Sequence, residues 1–94
     1  MIVVWSADAR QDLYNIERYL IEANPNAAAR ILDDIIQAGE RLRDFPRRAR
    51  PSRLKARREL RVLRQPYFLL YRGLKENVEI LRVIHESRDW PQAE

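Results

Sequence analysis

Ile2-Val3-Val4-Trp5 is apolar throughout and β-prone, which predicts a short strand buried on both faces. A period of three and four follows. Ser6 sits where a helix N-cap belongs, Asp8 falls in the first turn, and Leu13, Ile16, Leu20 and Ala23 form one apolar stripe. Asn24-Pro25-Asn26 interrupts it, because proline disfavours helical geometry in the residue before it and suits the first turn of a new helix. Ala28, Ile31, Leu32, Ile35, Leu42 and Phe45 give the second stripe, with Arg30 and Asp34 spaced to pair. Gly39 is expected to let the two helices pack closely, and Phe45-Pro46 to end the second one. Together they predict an αα-hairpin.

Residues 46–57 lose the period, contain two prolines and predict an irregular loop. Leu60 and Val62 then alternate with Glu59 and Arg61, as in a strand with one solvated face. Gln65-Pro66 turns the chain, and Tyr67 to Tyr71 is a continuous apolar run suited to a central strand. Gly73 to Asn77 reads as a hairpin connection, and Val78 to Ile84 as another inner strand. The order is β-α-α-β-β-β. The fold class is α+β, with both helices on one face of a small, largely antiparallel sheet, in one domain spanning 1–94.

Charge changes this picture. Residues 1–40 hold three arginines against seven carboxylates, a net of −4, whereas residues 41–64 hold ten arginines and Lys55 against Asp44 and Glu59, a net of +9. Residues 65–94 carry a net of −1, so the overall +4 is concentrated in one segment. Such a block faces an anionic partner or forms a solvated loop, and the excess of arginine over lysine favours phosphate or carboxylate recognition. The chain has no cysteine, which excludes disulfides and thiolate zinc and suits the cytoplasm. With a single histidine, no metal is expected, and no motif calls for a cofactor. The first apolar run is too short for a signal peptide, and no run is long enough for a membrane span.

The arginines divide into two groups. Arg47, Arg48, Arg50, Arg53 and Arg57 belong to the loop, while Arg58, Arg61 and Arg64 lie on or beside a strand. A positioned cluster could stabilise charge on a scissile phosphate or dock an acidic peptide through bidentate pairs. His85 ends the last strand, close in sequence to Ser87 and Arg88, where an imidazole suits proton transfer or a hydrogen-bonded packing role. Trp5, Tyr67, Tyr71 and Trp90 are expected to be structural, with Trp90 clamping the tail onto the core.

Ordered fragments along nearly the whole chain carry a resemblance. They are Trp5-Ser6-x-x-Ala9, Asp12-Leu13, Asn24-Pro25-x-Ala27-Ala28 and Leu42-x-x-Phe45-Pro46, then Arg58-Glu59-Leu60, Pro66-Tyr67-x-x-x-Tyr71-Arg72 and Val83-Ile84-His85-x-x-Arg88-x-Trp90. In this the chain resembles the ParE/RelE superfamily of toxin–antitoxin toxins, more closely its ParE side. It departs from the pattern at Ala49, where members often have glycine, and at Ala56-Arg57, where they commonly have glycine-threonine.

The resemblance implies the toxin of a type II pair, of the kind associated with plasmid stabilisation, bound by a cognate acidic antitoxin in a hetero-oligomer. It implies one of two activities: inhibition of DNA gyrase, as in ParE-like members, or cleavage of messenger RNA on the ribosome, as in RelE-like members. For cleavage the candidates are Arg61, His85 and Arg88. The strand arginine that RelE-like members carry aligns with Phe68 here, in the strand after the Gln65-Pro66 turn, and a basic tail residue falls near Glu86. Phenylalanine cannot neutralise phosphate charge, so gyrase inhibition is the favoured expectation. A plain nucleic-acid-binding module is the third.

Overall fold

The computed structural model describes residues 1–47, 50–52 and 55–87. The chain runs β1 (Ile2–Trp5), α1 (Ala7–Ala23), α2 (Pro25–Glu40), a 3₁₀ turn (Arg41–Arg43), β2 (Arg50–Pro51), β3 (Arg58–Arg61), β4 (Tyr67–Gly73) and β5 (Asn77–His85). The α+β expectation holds, with one added element. The loop contains a two-residue strand, Arg50↔Glu59 and Pro51↔Arg58, that adds a fifth strand at the sheet's rim. Proline is tolerated there because an edge strand need not donate on its outer side.

The sheet order is β1-β5-β4-β3-β2, with β1 parallel to β5 and the other pairs antiparallel. The first strand is therefore at an edge, which corrects the expectation that it is buried on both faces. Val3 and Trp5 pack against the core, whereas Ile2 and Val4 are exposed. Where β1 ends, α1 takes over its work. The Ser6 N–H donates to Ile80 O at 2.9 Å, and its hydroxyl donates to Leu81 O while accepting from the Ala9 N–H as the helix cap. One turn further on, the Asp12 carboxylate accepts from Arg82 Nε at 2.7 Å and from the Val83 N–H at 2.9 Å.

Asn24 precedes α2 with Pro25 at its first position, as the sequence predicts, although the Asn24 side chain makes no cap bond. Asp34 accepts from Gln65 Nε2 at 2.9 Å instead of pairing with Arg30. Regular helix ends at Glu40, short of Phe45; the 3₁₀ turn carries Leu42 into the core, and Phe45 stays exposed. Gly39 does permit a close approach, but to the sheet. A β-carbon there would overlap the Trp5 ring and lie 2.8 Å from Ile80 Cδ1. The Trp5 indole N–H donates to Glu40 at 3.0 Å, so ring and helix end are fixed together.

Both helices cover one face, where Ile35, Leu69, Tyr71, Val78 and Ile80 are fully buried. Tyr67 and Tyr71 serve this core, and the Tyr71 hydroxyl donates to Pro46 O at 2.7 Å, tying the start of the loop to the sheet. The opposite face holds a smaller cluster of Phe68, Leu70 and Ile84. Trp90, expected to clamp the tail, lies outside the described residues.

Candidate functional site

The basic segment occupies the β2–β3 rim of the sheet, and its arginines are held there in different ways. The Pro46 carbonyl is anchored by Tyr71, and the Ser52 N–H donates to Arg57 O at 2.8 Å. Arg50 reaches from β2 to Glu59 of β3 at 3.0 Å; the Glu59 side chain is only 7% exposed, against 80% for that of Arg50. A buried carboxylate needs such a partner, because leaving it unpaired costs about 1–3 kcal/mol or more. Its carboxylate thus fixes an otherwise solvated guanidinium. Arg57 Nη1 donates to Lys55 O at 3.1 Å, and Arg47 is exposed on the turn after Pro46. Arg48 and Arg53 lie outside the described residues.

Strand register sorts the remaining arginines onto opposite faces. Arg58 stands opposite Tyr71, a residue of the helix-covered core, whereas Arg61 stands opposite Phe68, which in turn stands opposite Ile84 on the outer face. Neighbouring positions on a strand point to opposite sides, as do any two an odd number apart. The strand arginines do not form one cluster. Arg64 lies beyond the strand, exposed on the turn into β4 with φ at 69°.

The same geometry separates the groups that cleavage of RNA would need. His85 pairs in register with Tyr67 and meets its ring edge-on at 5.4 Å, on the helix side of the sheet. Arg61 is on the other side and forms an ion pair with Glu86. Sequence reasoning did not find this role for Glu86, 25 positions away, since no local period links the two. It also missed Glu59, whose alternation reads as solvent-facing. Ser87 Oγ is 2.9 Å from His85 Nδ1, and the Ser87 N–H donates to the same nitrogen at 3.3 Å, so one tight turn holds both. Arg88 lies outside the described residues.

Two other features bear on partners. Leu13, Tyr14, Leu32 and Ile36, with Glu17 and Asp33, line a groove of about 410 Å³ between the helices. Among the described residues no group of three or more His, Cys, Asp or Glu could hold a metal, and no helix is long and apolar enough to cross a membrane.

Comparison with known proteins places this geometry in context. Residues 3–90 match the family described as ParE toxin of type II toxin–antitoxin system, parDE. A protein of Sinorhizobium fredii (strain NBRC 101917 / NGR234), named "Putative toxin Y4kP", is 39% identical over 88 residues, which are 94% of this chain and 91% of that protein. The solved structure of a chromosomal ParDE TA system from P. aeruginosa superposes with a TM-score of 0.85 at 25% identity, covering 90% of this chain and 95% of that one.

Proposed function

The chain belongs to the ParE toxin family of type II toxin–antitoxin systems, and we propose that it acts by inhibiting DNA gyrase and is neutralised by a cognate acidic antitoxin. Both encounters would take place in the cytoplasm. The observation that carries the choice of target is the row Arg61–Phe68–Ile84. A ribonuclease must activate a 2′-hydroxyl, stabilise a crowded phosphate and protonate a leaving oxygen, each with a positioned polar group. Here the middle strand offers an aromatic ring, the flanking arginine is occupied by Glu86, and the imidazole is on the other face. These placements favour an inhibitor that works by binding. The antitoxin reading is supported by the net charge of +9 over residues 41–64 and by the ParDE system that the chain resembles.

The deciding experiment runs two assays side by side on purified toxin, with antitoxin added back as a control. The expected result is blocked gyrase supercoiling and uncut ribosome-bound messenger RNA. Codon-specific cleavage with supercoiling untouched would reverse the assignment, and Arg61, His85 and Arg88 would then be the first residues to mutate.

A further inference from the structure

The turn between β3 and β4 holds an arginine in a conformation that suits arginine poorly. Arg64 has φ at 69°, in the left-handed region that glycine and asparagine occupy at lower cost. The turn is nevertheless firmly fixed. The Val62 N–H donates to Tyr67 O at 2.9 Å, the Gln65 N–H to Val62 O at 3.2 Å and the Glu86 N–H to Pro66 O at 2.8 Å. Gln65 Nε2 adds a bond to Asp34 of α2 at 2.9 Å. At the tip of this framework Leu63 is 73% exposed, more than any other large apolar side chain among the described residues. The Arg64 guanidinium has no ion-pair partner among them. Neither side chain adds to the core, yet a rigid scaffold presents both, and it does so at the expense of backbone strain. Strain retained at a rigid, exposed position points to function.

We propose that Leu63 and Arg64 form a direct contact with the toxin's target, a protein surface that offers an apolar socket beside a carboxylate. Nucleic acid fits the pair less well. Its phosphates would satisfy Arg64, but a leucine gains no seat on a sugar–phosphate backbone and does not stack as an aromatic ring does. Protein interfaces supply both, an apolar centre with arginine enriched around it. The inference rests on the gyrase reading and gives it a location. The turn lies at the opposite end of β3 from the Arg50–Glu59 rim, which leaves the loop arginines to the antitoxin.

Supercoiling by purified DNA gyrase is titrated with wild-type toxin and with Leu63→Ser, Arg64→Gly and Arg64→Lys, alongside a thermal melt of each. Leu63→Ser and Arg64→Gly should each raise the half-inhibitory concentration by roughly tenfold or more, the loss expected with a hydrogen bond to a charged group or a buried apolar anchor. Arg64→Gly should melt at or above the wild-type temperature, because glycine relieves the turn. Arg64→Lys should retain most of the inhibition. Two results overturn the contact while leaving the gyrase reading intact: full inhibition by both folded variants, or loss with Arg64→Gly but not with Leu63→Ser. A wild-type toxin that does not inhibit gyrase removes both.

Discussion

Beneath the helices Ile35, Leu69, Tyr71, Val78 and Ile80 expose nothing to solvent. On the other side of the same sheet, Phe68, Leu70 and Ile84 form a cluster of three, bordered by the pairs Arg50–Glu59, Arg61–Glu86 and Arg72–Glu79. The helix side derives its stability chiefly from apolar area, with the Asp12–Arg82 pair tying α1 to β5. The outer side carries ion pairs with exposed arginines: Arg61–Glu86 and Arg72–Glu79 are of the surface kind that contributes only about 0–1 kcal/mol each, whereas the buried Glu59 depends on Arg50. The two surface pairs are ones whose arginines a partner's carboxylate can take over at little loss. The fold thus keeps most of its stability on the helix side and its exchangeable charge on the other.

Truncation of the helix-side core gives the largest expected effect. Ile35→Ala should cost about 2–5 kcal/mol, read as a lower thermal or denaturant midpoint, while any protein that remains folded binds antitoxin as before. A comparable loss of antitoxin affinity would show that the two faces are coupled. Next comes the charge of the basic strand. Reversing Arg58 and Arg61 to glutamate should weaken antitoxin binding by about 1.5–3 kcal/mol per charged hydrogen bond lost, measured by titration calorimetry. Because these two side chains face opposite sides of the sheet, the single variants tell which side the antitoxin covers. Unchanged affinity in the double variant would remove both from the interface.

The Glu59→Gln variant isolates the anchor of the loop. It removes the buried charge that holds Arg50 and should cost about 1–2 kcal/mol of stability, together with some antitoxin affinity through a looser rim. Stability unchanged in a melt would show that β2 holds without the pair. The smallest effect is a gain. Ala56 has φ at 59°, a region where glycine is at home, so Ala56→Gly should stabilise the chain by about 0.5–1 kcal/mol. A lower melting temperature would mean that the turn at Ala56 departs from this conformation in solution.

Ala56 also shows what the sequence carried and what it hid. The departure from the family's common glycine was visible along the chain, but that the position is left-handed was not. Local signals were legible because their cause is local: Ser6 as a cap needs only Ala9, and Pro25 as a helix start needs only its own ring. Signals that depend on a distant partner were not. Ile2-Val3-Val4-Trp5 has no polar residue to mark its solvent side, so an edge strand read as an inner one. Gly39 announced a close approach, but its neighbour Trp5 is separated from it by the whole helical hairpin. The pairing of Arg61 with Glu86 exists only through the register of three strands. For the same reason the arginines were legible as a charged block, but not as groups divided between two faces.

The parallel pairing of β1 with β5 sets the order in which a growing chain can complete its fold. Ile2 finds Asn77, and Trp5 finds Ile80, only after the ribosome has delivered almost everything between them. Until then Trp5 can rest on Gly39 but has no Ile80 beside it, and Ser6 and Asp12 have no strand to hold. Contacts this distant in sequence form late and slowly. A chain that stops before β5 therefore lacks both the partner strand of β1 and the backbone groups that anchor the start of α1.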